Sequence, residues 1–274
     1  MQSSSAADAG CRVFGKGYAA MKRKVLISVF ALLLGSQLSV QGQEEEKIKK
    51  LFEDAIQALG GDTYLKTTDM VSEGNYFRFD RERNTLGLEK FNDYTKLPDK
   101  SRYELGNRKN ERDVTVFNLG KNEGWILEGQ KATRAATPEE MQEFKKSVKH
   151  SIETIFRYRY QDPENKCFYL GPSDADVQLE MVKLIDPEND EITLYFSRMS
   201  KLPAKLEYQV IDKRGNRFRE TVEFSQWHMI QGVNTALRID TFLNGRPAAQ
   251  QFILKIAYNN NLQDSFFAKP VPPK

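Results

Sequence analysis

Cysteine, histidine and tryptophan are scarce in this 274-residue chain, with two of each. Cys11 and Cys167 are too few for a disulfide framework or a cysteine-rich zinc site. Only His150 and His228 could serve as imidazole bases, and no Gly-x-Ser-x-Gly elbow presents a nucleophile to either. His150 and Glu153 lie one helical turn apart, but two candidate ligands without a third read better as an exposed helical pair than as a metal site. A glycine-rich phosphate loop is also missing. Charge of one sign is lacking too, since 41 Lys and Arg stand against 38 Asp and Glu. These absences leave no catalytic signature, no need for a cofactor or metal, and no electrostatic case for nucleic acid.

Long apolar runs are restricted to one place. Lys22, Arg23 and Lys24 precede the apolar stretch Val25–Leu34, and Val40 and Gly42 sit where a cleavage site takes small residues. That stretch is too short to span a bilayer, which takes about 20 apolar residues. It reads as a secretory signal over 21–42, with residues 1–20 an extension from a start site assigned too early. A lipid anchor would need cysteine where Gly35-Ser36 stands, so the exported product is expected to be free in the periplasm. Residues 1–42 contain Arg12, Lys16, Lys22, Arg23 and Lys24 against Asp8 alone, so the remaining chain carries a single net negative charge. Cys167, in Lys166-Cys167-Phe168-Tyr169, is expected to be a buried small hydrophobe, not a reactive thiol.

Residues 43–274 read as one domain. Ile48, Leu51, Phe52, Ala55, Ile56 and Leu59 recur at helical spacing, and Gly60-Gly61 closes that helix. The period then changes to two. Strand-like runs fall at about 70–79, 86–94, 101–106, 112–119 and 123–128, then at about 177–185, 190–197, 203–211, 217–225, 235–243 and 248–258. Between the two groups, Thr137-Pro138-Glu139-Glu140 supplies a capping box before an amphipathic helix over 138–156. About eleven strands with two amphipathic helices predict a mainly β (α+β) fold, an incomplete antiparallel β-barrel with helices on its concave side.

Two hairpins can be registered. A loop at 212–216 sets Val210 opposite Phe218, Leu206 opposite Val222 and Lys205 opposite Glu223. It also sets Glu220 on the apolar face opposite Tyr208, where a carboxylate needs a hydrogen-bond partner, a wet rim position or a ligand head group. The turn Asn244-Gly245 sets Leu237 opposite Phe252. Aromatic and aliphatic residues on these segments are either ordinary core or the wall of an apolar cavity. The candidates for such a wall are Phe77, Phe79, Trp125, Phe144, Val148, Leu206, Tyr208, Val210, Phe218, Val222, Phe224, Leu237, Phe252 and Leu254.

The stretch Leu194–Pro270 resembles the carboxy-terminal half of the LolA-like superfamily of periplasmic lipoprotein-carrier and lipoprotein-sorting proteins. The resemblance rests on Leu194-Tyr195-Phe196, Lys201-Leu202-Pro203, Asp212-Lys213-Arg214-Gly215-Asn216, Phe224-Ser225-Gln226-Trp227, Gly232-Val233 and Asp264-Ser265-Phe266-Phe267-Ala268-Lys269-Pro270. Leu59-Gly60-Gly61, Leu97-Pro98-Asp99-Lys100-Ser101-Arg102 and Gly124-Trp125-Ile126 extend it into the first half. It implies a half-barrel plugged by helices, a lipid or acyl chain as apolar ligand, and no enzymatic activity. Envelope proteins and peripheral contact with a membrane are the further partners it allows. A non-enzymatic envelope interaction or stress-sensing module on the same fold is the alternative, and a hydrolase is the weakest class.

Overall fold

The computed structural model describes residues 42–80, 82–129, 131–211 and 214–272. The expected extension and the signal segment up to residue 41 lie outside them. Lys47–Lys274 forms one compact unit that holds every described strand.

The leading helix, α1, runs over 42–59. Its stripe is the one the spacing predicts, with Ile48, Phe52, Ala55, Ile56 and Leu59 buried. Gly60 and Gly61 end it at φ 129° and 57°. A Cβ on Gly60 would lie 2.3 Å from the carbonyl oxygen of Gly232, so both the backbone angle and the packing exclude a side chain there. A single turn, α2 (Asp62–Leu65), leads into the first group of strands: β1 (Asp69–Phe79), β2 (Thr85–Lys96), β3 (Lys100–Leu105), β4 (Asp113–Asn118), β5 (Glu123–Leu127) and β6 (Arg134–Ala135).

The second helical region is two helices, α3 (Pro138–Lys149) and α4 (Ile152–Arg157), where one over 138–156 is expected. The Thr137–Glu140 capping box forms at the start of α3. Ser151 causes the break, because its hydroxyl accepts from the Thr154 amide at 3.2 Å and so begins a new helix. The second group of strands is β7 (Lys166–Pro172), β8 (Leu179–Ile185), β9 (Glu191–Ser197), β10 (Pro203–Ile211), β11 (Arg217–Ile230), β12 (Val233–Leu243) and β13 (Arg246–Tyr258).

The thirteen described strands form one antiparallel sheet in the order β6-β5-β4-β3-β2-β1-β13-β12-β11-β10-β9-β8-β7. Each half is a meander, and the halves join where β1 pairs with β13. The ends of the sheet, β6 and β7, do not pair with each other, so the barrel stays open. The architecture is therefore an open β half-barrel with helices. Two strands exceed the sequence expectation: β6 is too short to show a period, and β7 carries exposed Phe168 and Leu170 that blur its alternation.

Two apolar clusters brace the sheet. Helices α1 and α4 lie on the concave side of the second half, where Phe52, Ile155, Phe156, Val182, Leu184, Ile192, Leu194 and Phe196 are fully buried. Phe52 stacks on Tyr160 at 4.5 Å and meets Phe156 and Phe196 edge-on. Each such side chain contributes roughly 1.5–3 kcal/mol by leaving water. On the opposite face of the first half, the C-terminal segment packs Phe266 and Phe267 against Tyr94, Val114, Val116, Trp125 and Leu127. Lys96 secures that segment by donating to Asp264 at 2.6 Å and to the Leu262 carbonyl at 2.8 Å.

Candidate functional site

Between α3, the start of α4 and the concave face lies a cavity of about 620 Å3. That volume is within the ligand-sized range of roughly 300–1,000 Å3. One wall comes from β10 to β13 and is mostly hydrocarbon and aromatic: Leu206, Val222, Phe224, Ile239, Ile253 and Ile256. The facing wall, from β1 to β3, carries Met70, Asp93, Thr95, Ser101 and Tyr103. Helix α3 contributes Phe144, Ser147 and Val148 as the roof, and Phe144 stacks on Phe117 of β4 at 4.2 Å.

Six of the candidate wall residues border this space: Phe144, Val148, Leu206, Tyr208, Val222 and Phe224. The other eight do not, and irregular pairing accounts for several. On β13, Lys255 pairs with Glu73 but Ile253 pairs with Gly74, so Leu254 is the extra residue of a bulge and is 64 % exposed. The backbones approach so closely there that a Cβ on Gly74 would lie 1.9 Å from the Phe252 carbonyl oxygen. A further shift at Thr241/Phe242 sets Phe252 opposite Arg238, not opposite Leu237. Phe252 instead meets Phe77 edge-on at 5.9 Å, and Phe79 pairs with Thr85 at the tip of the β1–β2 hairpin. Trp125 faces the C-terminal segment, with the Lys269 ammonium 5.2 Å from its ring. Val210 and Phe218 pair as expected, beyond the cavity's end.

The registered 212–216 hairpin is present, including Lys205 opposite Glu223 and Leu206 opposite Val222; residues 212 and 213 of its loop lie outside the described set. Glu220 finds its partner in Tyr208, whose hydroxyl donates to it at 2.9 Å. Burial, then the Glu220 charge, pushes the Tyr208 hydroxyl's pKa up. His150 is not on an exposed helical pair. It is buried at the end of α3, with its Nε2 2.8 Å from Asp190 of the β8–β9 turn, while Glu153 pairs with Arg157 on α4. Lys149 pairs with Asp186 and, at 2.8 Å, with Glu188, and Arg159 bonds to Asp186 at 3.2 Å. Burial opposes the charge on Asp190, but the His150 hydrogen bond and the Lys149 and Arg159 charges outweigh it and hold the carboxyl below its ordinary pKa. At its other end α3 is held by Arg134, which donates to both Glu140 oxygens at 2.8 Å. The helical roof is thus tied down at both ends.

The polar wall was not legible as a site in the sequence. Asp93 and Tyr103 pair across β2 and β3, and Ser72 of β1 pairs with Asp93. Burial raises the pKa of Asp93 to about 6, opposed only by a hydroxyl contact from Thr95 at 3.4 Å. Burial, and then the charge of Asp93, raise Tyr103 as well. The available signal was period two, which puts Asp93 on the face of Phe91, a residue buried and stacked on Tyr103. Cys167 is half-buried, and burial pushes its thiol up to about 11. Among the described residues no group of three or more His, Cys, Asp or Glu side chains is placed to hold a metal ion. No helix of the described residues is long and apolar enough to cross a membrane.

No family model matches the sequence, and no curated protein is significantly similar to it. Solved structures do share the fold. A DUF1329 family protein from Desulfovibrio piger superposes with a TM-score of 0.55 at 12% identity, covering 81% of this chain and 97% of that one. A LolA superfamily protein from Nitrosomonas europaea gives 0.53 at 11% identity, covering 81% and 97%. A putative outer membrane lipoprotein-sorting protein domain from Vibrio parahaemolyticus gives 0.50 at 11% identity, covering 80% and 97%. The fold is LolA-like.

Proposed function

We propose that this protein is an exported, periplasmic carrier or binding protein for a lipid, lipoprotein or similar apolar ligand, acting as a single domain over 43–274 once the leader is removed. The observation that carries the reading is the unfilled space of about 620 Å3 between helices and sheet, with one wall built of hydrocarbon and aromatic side chains. Phe144, Val148, Leu206, Tyr208, Val222 and Phe224 are the side chains that would meet the guest. The LolA-like fold agrees with it, as do solved structures described as a LolA superfamily protein and as a lipoprotein-sorting domain.

The physics is sufficient without catalysis. At about 0.8 kcal/mol per buried CH2, an acyl chain of roughly 14 to 16 carbons has a gross driving force on the order of 10 kcal/mol. Association costs of about 4–15 kcal/mol offset much of this, so the net affinity leaves room for release. A carrier must do both. The test is mass spectrometry of extracts from protein purified without detergent. Bound lipid is expected, and Phe144→Asp, which puts a charge under the roof, is expected to lower the lipid recovered per mole of folded protein. Lipid-free wild-type protein that also fails to bind added apolar probes would refute the proposal and favour the envelope interaction module.

A further inference from the structure

The two walls of the cavity ask for different parts of a ligand, and the polar one contains an uncompensated carboxylate. Asp93 lies in the C-terminal third of β2 and borders the cavity. Among the described residues it makes no ion pair, and its one side-chain hydrogen bond comes from Thr95 at 3.4 Å. An ionised carboxylate can accept about four hydrogen bonds, and one left short of them below the protein surface is costly. The other charged side chains around the space are committed elsewhere. Lys100 pairs with Asp99 and Asp264, His150 with Asp190, and Glu153 with Arg157. What faces Asp93 directly is neutral: Ser72 from β1 and Tyr103 from β3.

We infer that Asp93, with Thr95 and Tyr103 beside it, is a head-group site for an ammonium-bearing amphiphile whose hydrocarbon tail lies along β10 to β13. This deepens the lipid-binding reading above and rests on it. An ammonium group brings three N–H donors and the opposite charge to a carboxylate that has neither. The opposite wall is mostly hydrocarbon, with Leu206, Val222, Ile239 and Ile253, and the hydroxyls beside them are taken, Tyr208 by Glu220 and Thr235 by Tyr258. A head group that is only anionic, such as a free fatty-acid carboxylate, would instead meet Asp93 as a like charge in a place of low dielectric. The site thus selects by charge among ligands whose tails are equivalent. Burial of Asp93, which raises its pKa to about 6, adds a pH dependence: the carboxylate loses its charge, and its hold on an ammonium, as the medium becomes mildly acidic.

The experiment titrates decylamine and decanoate into delipidated full-length protein by calorimetry at about pH 7.5, in wild type and in Asp93→Asn. Decylamine is expected to bind at least about tenfold more tightly than decanoate. Asp93→Asn should remove that preference while decanoate affinity stays the same or rises, and lowering the medium to about pH 5 should weaken decylamine binding in wild type alone. Circular dichroism of the variant reports its folding, and the retained decanoate affinity shows that its cavity is intact. Equal affinity for the two probes, or a preference that survives in Asp93→Asn, overturns the head-group site and leaves the carrier reading standing. Failure of both probes to bind wild type overturns both.

Discussion

One concave surface supports two different interiors. Under α1, the strands β8 to β10 meet a solid layer in which Phe52 touches three aromatic rings. Directly alongside, β10 to β13 present the same alternating apolar side chains to an open volume of about 620 Å3. Composition does not separate these regions, since leucine, valine, isoleucine and phenylalanine line both. The helices do. Helix α1 crosses the second half of the sheet with a full stripe of large side chains, whereas α3 spans the middle with only Met141 buried. Close packing therefore stabilises the frame where it is needed, and the space left over is available to a guest.

The largest effect should come from breaking the solid end. Phe52→Ala removes the ring at the centre of its aromatic cluster and is expected to cost about 3–5 kcal/mol, read as a lower midpoint in urea unfolding. A loss below about 1 kcal/mol would mean that this end is as loosely packed as the hollow.

A smaller effect of opposite sign is expected on the polar wall. The folded-state pKa of Asp93, about 6, lies above the ordinary value of 3.8, so ionisation opposes folding. The contribution of Asp93 to stability is greatest below the unfolded pKa and is lost as pH rises through the folded one. Asp93→Asn should therefore stabilise the ligand-free protein by on the order of 2 kcal/mol near neutral pH and by about nothing near pH 3.5, measured by urea melts at both values. Stabilisation that does not change with pH would contradict the burial argument.

The smallest change in stability should come from filling the hollow. Ile253→Trp adds a ring where space exists and is expected to shift stability by less than about 1 kcal/mol while abolishing uptake of apolar probes. The same enlargement at Ile192, fully buried under α1, should cost about 1–3 kcal/mol. Equal costs at the two positions would erase the distinction between the regions.

Much of the frame was legible because it is written in local periods. The stripe of α1, the Thr137–Glu140 capping box and the Tyr208–Glu220 pairing across β10 and β11 all follow from spacing of residues near one another in the chain. The errors cluster where one residue changes the count. The bulge at Glu73/Gly74 expels Leu254, the shift at Thr241/Phe242 moves Phe252 from Leu237 to Arg238, and Ser151 divides the expected helix. Each strand irregularity reverses or displaces the faces beyond it, because side chains in a strand alternate with a period of two. Of the site, the apolar wall from β10 and β11 was accessible to this reasoning. Asp93 was not, since a lone aspartate in a strand carries no sign of how deep it will lie.

By itself the sequence determined the class of the fold, the order of its strands along the chain and which side chains would seek the interior, because those depend on hydrophobic period and turn chemistry. Tertiary structure alone decided that β1 and β13 would meet at the middle of an open sheet, that Trp125 would face the C-terminal segment, and that a hollow would remain under α3. The physical reason is that a void is a mismatch between surfaces brought together from distant parts of the chain, and no local pattern encodes the distance between them.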